Sequence, residues 1–136
     1  MITTYIIVSI ISGILFGVLD AVINANPLAQ RLYKVYEPIA RTSINPLAGM
    51  LIDLVYGFIL AGVFVLLYPS LPGRTGLVKG LSFASLVWFL RVVMNTASQW
   101  MMFKVPLRTL LYSLVMGLGE ILILGVLYGL TLEPAA

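Results

Sequence analysis

The sequence predicts an all-α polytopic membrane protein: four transmembrane helices in an up-down bundle, with a short interfacial amphipathic helix between spans 1 and 2. Three observations carry this. Hydrophobic residues make up 61% of the 136-residue chain and charged residues 10%, against about 25% charged in a soluble domain. Mean hydropathy is +1.09. The apolar residues also fall into four runs, each near or above the roughly 20 residues a helix needs to cross a bilayer. These runs are too long for barrel strands and lack their alternation. Residues 1–136 therefore read as one transmembrane domain, without a soluble catalytic domain.

Span 1 is expected over residues 2–24. Its opening, MITTYIIVSIISGILFG, has neither a basic leader nor a small-residue cleavage site, which predicts an uncleaved span. Then comes NANPLAQRLYKVYEPIARTSINPLAG, in which Asn-Pro-Leu-Ala occurs twice, from Asn26 and from Asn45. Asparagine is a strong N-cap and proline is favoured at the first helical position, so each copy reads as a helix start. The first copy starts an interfacial helix over residues 27–37. Leu28, Leu32, Val35 and Ile39 share one face, while Arg31, Lys34 and Glu37 point elsewhere. That pattern suits a helix lying in the membrane interface. Tyr33 and Tyr36 suit its aromatic belt. Pro38 should disturb or end the helix near Tyr36 or Glu37.

The second copy starts span 2, over residues 46–68. PSLPGRTG, with two prolines and two glycines, makes a tight turn into span 3, over residues 77–103. Lys104-Val105-Pro106 leads directly into span 4, over residues 106–130, and the polar tail TLEPAA follows. Basic residues then sort by side. Arg31, Lys34, Arg41, Lys104 and Arg108 share one side, and Arg74 and Lys79 share the other with both termini. The positive-inside rule places the 25–45 loop in the cytoplasm and the termini outside.

Composition also excludes chemistry. The chain has no cysteine and no histidine. Disulfides, iron–sulfur clusters, thiolate zinc sites, histidine haem ligation and a Ser-His-Asp triad are out of reach. The net charge of +3 comes without a basic run interleaved with aromatics, so nucleic acid is not an expected partner. No cofactor, metal site or catalytic residue is expected.

Four formal charges fall inside the spans: Asp20, Asp53, Arg91 and Glu120. Each costs about 2.5–3.5 kcal/mol if central and unpaired, so all should face the bundle interior. Spans 3 and 4 are antiparallel neighbours, and Arg91 and Glu120 lie at similar depth from their connection. This predicts an Arg91–Glu120 ion pair. Asp20 and Asp53 lie near one mouth of the bundle, as do Asn24, Asn95, Ser98 and Gln99. Together they describe a polar funnel from the midplane to one surface. Three acids against one arginine call for a shared proton, a bound cation or water. Either the cluster is a site for a proton, cation or polar head group, or it is structural glue that fixes helix register.

The segments GILFGVLDAVIN, AGMLIDLVYGFILAG and GLGEILILGVLYG resemble a loose group of small four-helix bacterial integral membrane proteins without an assigned activity. These show an acid late in span 1, another early in span 2, and a Gly-x-x-Glu-like element in span 4. Asp20, Asp53 and Glu120 occupy those places. The resemblance implies a bacterial cytoplasmic (inner) membrane and no particular activity. The leading expectation is a non-catalytic accessory or scaffold subunit, with the lipid bilayer, other membrane subunits or further copies of itself as partners. The alternative is a small transporter or binder of a cation, proton-coupled solute or lipid. A water-accessible cavity at Glu120 favours the second reading, and a dry, fully paired core favours the first.

Overall fold

A computed structural model describes residues 2–39 and 45–132. Among these the regular structure is entirely helical. Four helices are long and apolar enough to cross a membrane: Ile2–Ala25, Pro46–Ser70, Gly76–Met102 and Leu107–Thr131. They are spans 1 to 4 of a multi-pass membrane protein. Ile14, Leu51, Leu66, Leu90 and Val115 project outward from all four, as lipid-facing side chains should. Arg41, with the rest of 40–44, and the tail from residue 133 lie outside the described residues.

Both Asn-Pro pairs start helices. Asn26 Oδ1 accepts the Ala29 N–H at 2.9 Å, with Pro27 in the first turn. Asn45 Oδ1 accepts the Leu47 and Ala48 N–H groups at the start of span 2. These bonds satisfy donors that a helix N-terminus otherwise leaves unpaired. In the turn between spans 2 and 3, Gly73 adopts φ +126°, which favours glycine. Thr75 caps span 3 through the Val78 N–H. Lys79 Nζ donates to the Tyr68 and Leu71 carbonyls at 2.6 and 3.2 Å. It thereby closes the carbonyl end of span 2.

Span 1 packs along span 2 and span 3 along span 4, and the two pairs meet chiefly along spans 1 and 4. Each pair crosses on glycine, which lets the backbones touch. A Cβ at Gly57 would lie 2.6 Å from the Ser9 carbonyl and the Gly13 nitrogen. A Cβ at Gly80 would strike the Gly125 carbonyl, and one at Gly125 would strike the Gly80 carbonyl. Spans 2, 3 and 4 meet at the end near the 71–75 turn through Phe64, Phe83 and Tyr128. Their ring centroids are 5.4 to 6.2 Å apart. Phe16, Ile121 and Leu124 extend this apolar core toward the middle of the bundle.

Two elements depart from the expected helices. The interfacial segment is α-helical only over Pro27–Leu32 and continues as a 3-10 helix over Tyr33–Ile39, with Pro38 inside it. The α ladder stops where the Leu32 carbonyl accepts the Thr109 hydroxyl at 2.8 Å. The apolar face is partly as expected, because Leu28 and Val35 are exposed toward the membrane interface. Span 3 is not one regular helix. It breaks into a π turn over Phe89–Val93 between Gly76–Trp88 and Met94–Met102. The π turn inserts an extra residue and rotates everything after it. π turns inside α-helices frequently mark functional sites.

Candidate functional site

The π turn carries Arg91 at its centre. The side chain reaches across the bundle to a shelf of two aromatic rings, Phe16 of span 1 and Tyr56 of span 2, stacked at 5.0 Å. The guanidinium lies 5.0 Å from the Phe16 ring centre and 4.8 Å from that of Tyr56. Such cation–π contacts are worth about 0.5–2 kcal/mol each and hold a charge without neutralising it. Both rings were legible as partners of the acids. Phe16 lies one turn before Asp20, and Tyr56 about one turn after Asp53, so each shares a face with its acid.

Glu120 faces Arg91 from span 4. It is only 4% exposed, and its Oε1 lies 4.0 Å from Arg91 Nη1. That is longer than the 2.7–2.9 Å of a charge-assisted hydrogen bond. The Asp20 carboxyl is close enough to Glu120 on one side and to Asp53 on the other for their charges to interact. The acids thus form a chain from span 2 through span 1 to span 4, with Arg91 beside it. Neighbouring carboxyls repel when both are ionised, so a proton on one of them relieves the cluster. Among the described residues, no group of three or more acids converges to hold a metal ion. The three carboxyls stand in a row, a relay across spans 2, 1 and 4.

A cavity of about 260 Å³ opens onto this relay. Asp20, Arg91 and Glu120 form its charged wall, and Asn24, Asn95, Gln99 and Ser113 line the rest of its polar surface. The π turn decides which residues of span 3 take part. Thr96 and Gln99 turn inward with Asn95. Ser98, expected in the polar funnel, is exposed and bonds the Met94 carbonyl at 3.0 Å. Asp53 is not part of the cavity wall. It packs on Gly17, where an added Cβ would lie 3.2 Å from Asp53 Oδ2, and it faces a second space between spans 1 and 2.

The interfacial segment closes over the cavity mouth. In a 3-10 helix residues three apart stack, so Tyr33 and Tyr36 share one face. The Tyr33 hydroxyl bonds Ser113 Oγ at 3.0 Å, and the Tyr36 hydroxyl donates to Gln99 Oε1 at 2.6 Å. Both tyrosines therefore turn inward onto spans 3 and 4 instead of outward into an aromatic belt. Asn26 Nδ2 reaches Tyr112 at 2.8 Å, and the Tyr112 hydroxyl donates to the Ile23 carbonyl at 2.6 Å. Arg31 and Lys34 stay exposed on the outer side of the segment.

Burial pushes the Tyr33 phenol above its ordinary value of 10.0, against the opposing hydrogen bond from Ser113. The Tyr36 phenol is raised for the same reason. A raised phenol favours the docked, neutral form. Its contribution is complete below pH 10.0 and is lost as pH rises through the elevated value. Ultraviolet tyrosinate titration of the wild type against Tyr33→Phe should show the missing phenol to be one of the late-ionising groups. If the missing group titrates like a free tyrosine, Tyr33 is not buried against span 4.

Fold and site together define a multi-pass helical membrane protein with a polar cavity ending on a carboxyl relay. No family model, curated protein or solved structure matches the chain.

Proposed function

We propose that the protein is a small transporter or binder of a cation or proton-coupled polar solute, working through Asp20 and Glu120. The cavity that brings Asp20, Arg91 and Glu120 into one solvent-accessible wall carries this reading. An accessory or scaffold subunit calls for a dry interior with every charge paired, whereas here three acids share one arginine beside an open cavity. The bound cation takes the place of the proton shared by Asp20 and Glu120, so the local charge is conserved. Arg91, fixed on its aromatic shelf, keeps the remaining negative charge tolerable. This is exchange rather than bond-making, so no catalytic residue is assigned.

The same reading places the protein in a bacterial inner membrane. Arg31, Lys34, Lys104 and Arg108 belong to the segments at the end of the bundle where Tyr33 and Gln99 line the cavity, and this basic excess supports a cytoplasmic mouth. Lys79 counts little against this orientation, because its charge is spent on the carbonyl end of span 2.

The test is reconstitution into phosphatidylcholine vesicles, with proton release followed as potassium, sodium or tetramethylammonium is added. Glu120→Gln and Asp20→Asn should each lower cation-dependent proton release by about tenfold or more, equivalent to about 1.4 kcal/mol. Both variants should still melt cooperatively, which separates lost exchange from lost folding. Unchanged proton release and unchanged cation-dependent melting in both variants would sink the reading.

A further inference from the structure

The second space is a groove of about 650 Å³ between spans 1 and 2, on the membrane-facing side of the hairpin. Its volume is within the roughly 300–1,000 Å³ of small-molecule sites. Ile10, Ile14, Val18, Met50 and Leu54 form its walls, and Gly13, Gly17 and Gly49 leave it room. Among the described residues, Asp53 is the one charged residue that lines it. The Asp53 carboxyl is therefore two-sided. One side meets the apolar groove, and the other reaches Asp20 and so the relay that ends at Glu120.

Groove chemistry narrows the occupant. Apolar walls take an apolar body, and a carboxyl at the groove's edge, belonging to a cluster with more acids than arginines, favours one positive charge over a negative one. Depth argues against a phospholipid head group. Asp53 lies seven residues beyond Pro46, about 10 Å along the axis at about 1.5 Å per residue. Counted from the start of span 2, that depth favours the hydrocarbon over the head-group layer. We propose that the groove binds an amphipathic organic cation, its apolar body between spans 1 and 2 and its positive centre against Asp53. Such a ligand reaches the carboxyl relay laterally, from the bilayer. This rests on the reading above, that the relay takes cations, and names a substrate class for it.

Tetraphenylphosphonium and tetraphenylborate, nearly identical in shape and opposite in charge, are the probes. Binding is measured calorimetrically to the full-length protein in phosphatidylcholine nanodiscs, after subtraction of empty nanodiscs. Tetraphenylphosphonium should bind saturably, about tenfold or more tighter than tetraphenylborate. Asp53→Asn should erase the difference. Gly49→Phe should fill the groove and weaken tetraphenylphosphonium by about tenfold or more. A Cβ at Gly49 meets nothing within 4 Å, so the backbone there has room to carry a side chain, and cooperative melting of the variant checks that it is folded.

Equal binding of the two ions, no saturable binding, or indifference to both Asp53→Asn and Gly49→Phe would each overturn the inference. Tetramethylammonium, which has no apolar body, separates the two ideas. If its binding depends on Glu120 while tetraphenylphosphonium ignores Gly49→Phe, the groove site fails and the polar cavity stands. If tetraphenylphosphonium depends on Asp53 while none of potassium, sodium and tetramethylammonium elicits Glu120-dependent proton release, the groove stands and the cavity reading fails.

Discussion

Gly80→Val is expected to force spans 3 and 4 apart and destabilise the protein by about 3 kcal/mol or more. The contact at this position is backbone on backbone. A Cβ at Gly80 strikes the Gly125 carbonyl oxygen, and the Gly129 Cα lies 3.1 Å away. No side-chain rotation relieves such a clash, so the helix axes must separate. Separation uncouples Phe83 of span 3 from Ile121, Leu124 and Tyr128 of span 4, which are all at most 2% exposed. It also moves Arg91 away from Glu120. Gly125→Val should behave alike, because its Cβ meets the Gly80 carbonyl and lies 2.8 Å from Ala84 Cβ. Gly119→Ala is the control. It meets nothing within 4 Å, and removing a mid-helix glycine is worth up to about 1 kcal/mol. Thermal unfolding in one detergent should rank Gly119→Ala at or above the wild type and both valine variants far below. A Gly80→Val protein as stable as the wild type would mean that spans 3 and 4 do not cross on these glycines.

Arg91→Met should destabilise the protein by about 3 kcal/mol, although methionine fills similar space. Removing one partner of a buried charged group leaves the others uncompensated, at a typical cost of about 3–5 kcal/mol. Arg91 is a third exposed, which puts it at the low end of that range. The loss falls on three carboxyls at once, Asp20, Asp53 and Glu120, and the cation–π contacts with Phe16 and Tyr56 go as well. Combining Arg91→Met with Glu120→Gln should recover part of the loss, with a coupling of about 1–3 kcal/mol in a double-mutant cycle. Strict additivity of the two substitutions would show that the 4.0 Å approach carries no interaction.

The parts of this architecture that rest on local chemistry can be read from the sequence. Asn26 and Asn45 start helices because their side chains cap them, and a cap needs only its own helix. The four spans follow from length and hydropathy. Asp20, Arg91 and Glu120 meet because membrane depth and the cost of a lone charge leave few other places for them. The parts that depend on tertiary contacts cannot be read in this way. FLRVV, from Phe89 to Val93, carries no residue that demands a π turn. Without that turn Ser98 is assigned to the wrong face. Tyr33 and Tyr36 turn inward because Thr109, far along the chain, takes the Leu32 carbonyl and the segment tightens to a 3-10 helix. Asp53 has the right depth for the cavity, but Gly17 admits its carboxyl between the helices and turns it to the groove. The helical stripe on span 2 shows which face Asp53 occupies but not which neighbour stands across from it.

Because the chain lacks cysteine, a single introduced thiol reports the cavity directly. Asn95 lines it and is exposed enough to replace without disturbing the core. Asn95→Cys, in sealed vesicles of known orientation, is treated with membrane-impermeant methanethiosulfonates of opposite charge. The thiol should react only from the side of residues 25–45. The cationic reagent should be faster than the anionic one by about tenfold, a preference of about 1.4 kcal/mol. Adding Glu120→Gln should narrow that ratio. A thiol that is unreactive from both sides, or that prefers the anionic reagent, would contradict an acid-lined, water-filled cavity built to receive a cation.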